Sequence, residues 1–343
     1  MLTNKKIKNL PSLLLLLFLS FLSLSFSVYI SKINEEISFL YFKATASQFF
    51  IKKEKPIILM FIGDVMLDRG VKYMVEKYGG DDYKFPFLKI AEYLQKADIL
   101  FGNLEGPISD KGVKVGSIYS FRANPEAIEG LVFAGFDVLS AANNHIFDYG
   151  REAMEDTFLR LKRAGIDFIG GGFNENQAHS PLIKEVRGTK IAFLAYTNLG
   201  TPYWSAKEER SGICWLKEEK LKENIKEAKK SADLVVVSMH FGEEYLSSPT
   251  PEQEFFARLA IDSGADLVIG HHPHMIQPVE RYKQGYIAYS LGNFVFDQSF
   301  SEETMKGLLL KVLVENGKIK ELIPVEVKIN QYFQSEIIKH NGD

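Results

Sequence analysis

From Pro56 onward the chain alternates between two patterns. Short apolar, β-prone runs stop at clusters of Gly, Asn, Asp or His, and between them apolar residues recur every three or four positions. Five such stops stand out. They are Ile57 to Ile62 before Gly63-Asp64, Ile99 to Phe101 before Gly102-Asn103-Leu104-Glu105, Val138 to Leu139 before Asn143-Asn144-His145, Leu234 to Val237 before His240, and Leu267 to Ile269 before Gly270-His271-His272-Pro273-His274. Helices are expected over Pro86 to Lys96, Arg151 to Ala164, Leu216 to Lys230 and Pro251 to Gly264. Apolar strands alternating with helices imply an α/β fold of sheets covered by helices, in which ligands gather at the carboxyl ends of the strands. Gly307 to Val314, the turn Glu315-Asn316-Gly317-Lys318 and Ile319 to Ile329 read as a β-hairpin, so the sheet system is expected to be mixed.

The amino-terminal pattern is different. Leu10 to Ile30 is 21 residues without a charge, after Lys5, Lys6 and Lys8. That length spans a bilayer, and the lysines would stay cytoplasmic, placing the main domain outside the cell as part of a single-pass membrane protein. A cleaved signal peptide is the alternative, with serines at Ser23 to Ser27, but no Ala-x-Ala-like site directly follows the apolar run. The expected organisation is a basic tail (1–9), an anchor (10–30), a stalk (31–55), a globular domain (56–330) and a carboxyl-terminal tail (331–343). The stalk carries Ile33, Ile37, Leu40 and Tyr41 at helical spacing and ends at Lys52, Lys53, Glu54, Lys55 and Pro56.

Composition narrows the chemistry. With 46% hydrophobic and 25% charged residues the chain is globular rather than disordered or multi-spanning. Lys and Arg number 41 against 44 Asp and Glu, a net charge of −3, which argues against a nucleic-acid partner. The single cysteine, Cys214, excludes an internal disulfide framework and a thiolate-rich zinc site, so a metal would need N and O ligands.

One histidine at a strand end is usually a hydrogen-bonded structural residue. Here five of the seven, His145, His240, His271, His272 and His274, follow expected strands, joined by Asp64, Asn103, Glu105 and Asn144 at equivalent ends. Imidazole with carboxylate suits manganese, zinc or iron, whereas calcium and magnesium take mostly oxygen. A bridging carboxylate would make it a two-metal site, and whether one or two ions bind is open. Around this set, Glu243 and Glu244 would orient His240, contact a cationic substrate group, or form a solvated pair. Asp148 would hydrogen-bond His145 or cap the helix near Arg151. Arg122 is a candidate clamp for carboxylate or phosphate, or a surface ion-pair residue. Asn293 would donate to the site or serve the turn at Gly292-Asn293.

The strings GDVML (63–67), NLEGPIS (103–109), NNHIFDYG (143–150), MHFGEEY (239–245), GHHPHMIQPVE (270–280) and YSLGNFVFD (289–297) resemble the CapA (PgsA) family of capsule and poly-γ-glutamate synthesis. That family is similar to the calcineurin-like metallophosphoesterases. The resemblance implies a metallo-dependent phosphatase-like four-layer αββα sandwich behind one transmembrane helix. It implies Asp64, Asn103 or Glu105, Asn144, His240, His272 and His274 as metal ligands and His145 as the catalytic histidine, and the pair register skips His271. Met66 stands where the superfamily has a histidine. The implied partners are membrane synthase subunits, with an anionic polymer handled outside the cytoplasm. A small-substrate hydrolase in which His145 protonates the leaving oxygen, and a non-catalytic polymer-binding scaffold, are the competing expectations.

Overall fold

The computed structural model describes residues 10–49, 55–116 and 118–338. The basic tail, the charged end of the stalk at 52–54 and the last five residues lie outside them. The chain forms two units, Met1–Lys55 and Pro56–Asp343.

In the first unit a single helix, α1 (Leu10–Phe49), runs through the expected anchor and most of the stalk. Pro11 sits in its first turn, where a missing N–H costs nothing, and no glycine or further proline interrupts it. The segment Leu14–Lys43 has a mean hydropathy of 2.1 and is long and apolar enough to cross a membrane. Its serines are compatible with that, because the hydroxyls of Ser20, Ser23 and Ser25 donate to the carbonyls of Leu17, Ser20 and Phe21.

The second unit contains the strands β1 (Ile57–Val65), β2 (Ile99–Leu104), β3 (Val138–Ser140), β4 (Asp167–Ile169), β5 (Gly171–Gly172), β6 (Leu182–Val186), β7 (Thr189–Thr197), β8 (Gly212–Ile213), β9 (Leu234–His240), β10 (Leu267–His271), β11 (Val279–Tyr282), β12 (Gly285–Ala288), β13 (Asn293–Val295), β14 (Lys306–Glu315), β15 (Lys318–Ile329) and β16 (Ser335–Ile337). Its helices are α2 (Arg69–Tyr78), α3 (Ala91–Leu94), α4 (Ala127–Ala134), α5 (Gly150–Arg163), α6 (Glu175–His179), α7 (Glu218–Ser231) and α8 (Pro251–Ser263). One sheet has the order β16-β15-β14-β1-β2-β3-β4, with β13 also beside β1; the other has the order β11-β12-β10-β9-β7-β6. Both are mixed, as expected.

Period-two alternation decides what each face meets. Leu59, Phe61, Ile99 and Phe101 of the first sheet face Ile191, Phe193, Leu234, Val236, Leu267 and Ile269 of the second, and together they form the layer between the sheets. Phe101 and Phe193 stack there, centroids 6.0 Å apart and planes 8° from parallel. The intervening residues point outward. Met60, Ile62 and Leu100 pack with Val71, Val75, Leu94 and Leu131 of the helices on one side, and Val235, Val237 and Val268 pack with Leu221, Ile225, Ala257 and Ile261 on the other. The result is the helix, sheet, sheet, helix sandwich expected from the sequence.

Three departures are local. Pro86 to Lys96 is not one helix but a 3₁₀ turn at Phe85–Phe87 followed by the single turn α3. Its hydrogen bonds close onto the third residue back, as from Phe87 N to Lys84 O and Ile90 N to Phe87 O. Gly130 of α4 packs against the chain just before this 3₁₀ turn, so close to Tyr83 O that a Cβ would lie 2.2 Å away. The expected tail re-enters the sheet as β16, and Ser335 Oγ donates to Phe294 O. The expected strands also run further than their apolar runs, so that Asp64, Asn103, His240 and His271 lie on β1, β2, β9 and β10 rather than beyond them. The hairpin is as expected, with Asn316 and Gly317 both at positive φ (53° and 70°), the geometry of a two-residue turn matched to strand twist.

The inter-sheet layer carries the stability of this unit. Phe193→Ala is expected to cost about 3–5 kcal/mol in urea unfolding, whereas Phe255→Ala, at a residue 51% exposed on α8, should cost under about 1 kcal/mol. Equal losses would show that the layer is not the core.

Candidate metal centre

The same alternation that builds the core ends it with polar groups. On β9 the inward series is Leu234, Val236, Ser238 and His240; on β10 it is Leu267, Ile269 and His271; on β2 it is Ile99, Phe101 and Asn103. The inward positions at the carboxyl ends therefore deliver His240, His271 and Asn103 to one place, all fully buried. Phe101 and the His271 ring lie 6.4 Å apart, so the last apolar layer touches the first polar one.

Asp64 is the hub. Its Oδ1 accepts from Asn103 Nδ2 (2.9 Å) and lies 3.2 Å from His271 Nδ1, and its Oδ2 accepts from the backbone N–H of His272 (3.2 Å) and lies 3.4 Å from His274 Nδ1. Burial alone would raise this carboxyl, but His271 and His274 override it and hold Asp64 well below the usual carboxylate range. Glu105 has the opposite fate. Burial first, then the charges of Asp64, Glu244 and Asp148, push its carboxyl well above the usual range. Burial, with the neighbouring imidazole of His272, keeps His240 well below its ordinary pKa, and burial with His274 lowers His272 to about 3. These two rings are neutral at physiological pH, the form that ligates metal.

Two turns place the remaining groups. After β3, Asn143 Oδ1 accepts from the backbone N–H of His145 (3.1 Å) and Ile146 (2.9 Å), while its Nδ2 donates to Leu104 O (2.8 Å) and Asn103 Oδ1 (3.1 Å). This turn presents Asn144 Oδ1 to His240 Nε2 at 2.8 Å. It also sets His145 with Nδ1 on Asp148 Oδ2 (2.8 Å) and Nε2 3.8 Å from Glu105 Oε1. After β10, His272 and His274 both adopt positive φ (96° and 55°), a costly conformation for residues with a Cβ, in a turn that brings the His272 N–H and the His274 ring to Asp64. Gly270 makes the approach possible, since a Cβ there would lie 1.9 Å from Tyr289 O. His274 Nδ1 meets Asn293 Oδ1 at 2.9 Å, leaving Nε2 3.7 Å from Glu105 Oε1.

The donor set fits a divalent cation. One oxygen or nitrogen from each of Asp64, Glu105 and His240 lies within 4.8 Å of the others, and a second group of the same size comprises Glu244, His272 and His274. Glu105 Oε1, His271 Nε2 and His272 Nδ1 are buried without a hydrogen-bond partner, a costly state for protein alone and one that ligation relieves.

The structure separates the alternative roles expected of the surrounding residues. Asp148 does not cap α5, whose N-cap position is Tyr149; its Oδ2 instead accepts from Phe121 N (2.7 Å) and meets His145. Asn103 turns its amide N–H toward Asp64, Glu105 and His240 and its carbonyl toward Asn143, so the oxygen facing the centre on this strand is that of Glu105. Arg122 does not reach the centre: its guanidinium lies 4.1 Å over the Tyr149 ring and donates to Lys111 O and Gly112 O. Glu243 is exposed, and Asn293 Nδ2 is taken by Gln298 Oε1 and Thr304 O. Met66 is buried in the core cluster under α2. His271 is outside the implied ligand set and Asn143 carries no role in it, yet both are fully buried within the cluster.

Compared with known proteins, residues 58–298 match the family described as bacterial capsule synthesis protein PGA_cap. The chain is 36% identical over 286 residues to the capsule biosynthesis protein CapA of Bacillus anthracis, covering 81% of this chain and 69% of that one. Among solved structures, a hypothetical protein from Thermus thermophilus shares the fold, with a TM-score of 0.51 at 16% identity over 79% of this chain and 99% of the other. The calcineurin-like phosphoesterase YfkN from Bacillus subtilis superposes with a TM-score of 0.46 at 15% identity, over 79% of this chain and 90% of that one.

The opposed shifts of the two buried carboxyls make a test. Because the Glu105 pKa is raised on folding, the native state keeps a proton that the unfolded chain releases above about pH 4.3, so this group works against folding as pH rises from there. With a chelator present, Glu105→Gln is therefore expected to melt at a higher temperature than wild type near neutral pH, the gap closing near about pH 4. A variant that melts lower at neutral pH would overturn this account of Glu105.

Proposed function

The chain belongs to the bacterial capsule synthesis protein family, and from that premise we propose that it is a membrane-anchored protein of capsule or poly-γ-glutamate biosynthesis that handles an anionic polymer outside the cytoplasm at a divalent-metal centre. The observation that carries the reading is the fully buried set Asp64, Glu105 and His240, with Glu105 Oε1 and His271 Nε2 left without partners. Asp64, Glu105 and His240, with Asn144 on the far nitrogen of His240, would hold one ion; His272, His274 and Glu244 would hold another. Manganese, zinc and iron suit these ligands. The ion, when bound, supplies Lewis acidity toward a substrate oxygen and makes a bound water more acidic.

The protein's own groups supply the rest. Asp148 fixes the His145 ring so that Nδ1 is occupied and Nε2 faces the centre, where it is placed to give a proton to a leaving oxygen. Phe121 covers that ring, its centroid 4.1 Å from the imidazole, and shields it from bulk water. This pairing favours turnover, and with it the second reading, a metal-dependent hydrolase of phosphoester or γ-glutamyl bonds. The apolar helix α1 serves as the anchor, the lysines before it staying in the cytoplasm, and membrane synthase subunits are the partners.

The test uses the full chain in detergent and in a poly-γ-glutamate-producing host that lacks its own homologue. Wild type is expected to bind manganese or zinc and to restore polymer. Asp64→Ala and His240→Ala should weaken metal binding by about 10–100-fold or more and abolish restoration; restoration by Asp64→Ala would sink the reading. With metal content held, His145→Ala is expected to lower hydrolysis of aryl phosphates or γ-glutamyl peptides by about 10²-fold or more. Polymer restored by His145→Ala would instead mark a binding or scaffolding role.

Metal uptake should also release protons. Ligation must displace the proton that burial keeps on Glu105, so calorimetric titration near neutral pH in buffers of different ionisation enthalpy is expected to show release of about one proton in wild type and less in Glu105→Gln. Equal release in both would assign the proton elsewhere.

A further inference from the structure

We propose that Arg69 is the oxyanion-binding residue of this centre, taking a carboxylate or phosphate oxygen of the substrate while the buried cluster engages the adjacent group. The inference rests on the reading of the cluster as a metal centre that handles an anionic substrate.

Three observations place the guanidinium. It lies over the Phe121 ring, 4.5 Å from its centroid, and 5.8 Å from that of Phe296. Those rings in turn pack on the imidazoles of the centre, Phe121 on His145 at 4.1 Å and Phe296 on His274 at 4.8 Å. A two-ring aromatic floor, its rings 5.9 Å apart and edge to face, thus joins the cation to both histidines.

The guanidinium is oriented but not used up. Its Nη2 donates to Asp297 Oδ1, and the other oxygen of Asp297 accepts from Gly70 N at 2.8 Å, so one carboxylate fixes both the side chain and the backbone beside it. The remaining N–H groups make no hydrogen bond among the described residues, and Nε is buried without a partner. A guanidinium presents five N–H donors in a planar fork suited to bidentate oxyanions, and here the protein fills only part of it. The side chain is still 33% exposed.

The backbone shows that this placement is imposed. Arg69 has φ of 50°, in the region where only glycine is unstrained. Such strain persists where surrounding contacts over-determine it, here the Asp297 pairing and the aromatic floor. Arg69 also acts on the centre electrostatically, opposing the rise in the Glu105 pKa. The contrast with Arg122, spent on Lys111 O and Gly112 O, makes Arg69 the arginine with donors to spare beside this cluster.

The test uses the full chain in detergent, loaded with manganese, and reads metal content and anion affinity separately. The probes are inorganic phosphate and a γ-glutamyl oligomer, each titrated into wild type, Arg69→Gly and Arg69→Lys. Glycine adopts the observed φ without strain, so Arg69→Gly is expected to fold and to keep wild-type metal content. Its affinity for at least one probe should fall about tenfold or more, with partial recovery in Arg69→Lys, a point charge without the fork. Loss confined to phosphate or to the oligomer identifies which oxyanion is recognised. Unchanged affinity for both probes in Arg69→Gly, or no binding of either by loaded wild type, overturns the assignment. Failure of wild type to take up manganese or zinc at all would instead sink the reading of the centre.

Discussion

Everything at the centre is arranged around one buried carboxylate. Asp64 sits at the end of the central strand of the first sheet, and it takes an amide from β2, a backbone N–H from the loop after β10, and the imidazoles of His271 on β10 and His274 in that loop. A fully buried carboxylate without such partners would take up a proton and lose its hold on them. The two sheets are thus tied at their polar ends by the charge of Asp64 and at their apolar ends by the layer around Phe101 and Phe193. Glu105 is the counterpart that the protein alone leaves unpaired: it carries an orphaned oxygen at a cost to folding, which is how a site built for a cation behaves.

Much of this is legible in the chain because a single rule, alternation along strands, governs both core and site. The polar stops name the five strand ends that matter, and the hairpin turn at Asn316-Gly317 follows from its dipeptide. Where the pattern misleads, the causes are local. Matching a His-x-His pair passes over His271, although Leu267, Ile269 and His271 share one face of β10 and the alternation itself points inward. β7 escapes because its stop, Asn198, bears no titratable group, yet it is an inner strand of the second sheet. Pro86 to Lys96 has helical composition, and nothing within it marks the break between its 3₁₀ turn and α3.

Other features are not written in any one segment. Asn143 and Asn144 are adjacent amides, and nothing local says that the first builds the turn while the second meets His240; that depends on Leu104 and Asn103 arriving from another strand. Asp148 reads equally well as a helix cap until Phe121 N and His145 converge on it. Arg122 and Arg69 are indistinguishable by type, and only packing shows that one is consumed by main-chain carbonyls while the other lies on rings that touch the centre.

The neutral side chain of Asn103, which turns its amide N–H and not an oxygen toward Asp64, bears on how many ions the centre favours. Asp64 and Glu105 bring two carboxylates to the inner group, enough to balance one divalent ion when both are ionised; the outer group offers only one, Glu244, which is exposed, beside two imidazoles. A second ion would therefore sit at an under-compensated position, held weakly until further negative charge arrives. An anionic substrate brings that charge, and an arginine beside the centre would share in binding it. On the proposed function, the inner ion would belong to the resting protein and the outer one would be recruited with the substrate, so that the weakness of the second set of ligands would couple ion binding to polymer binding.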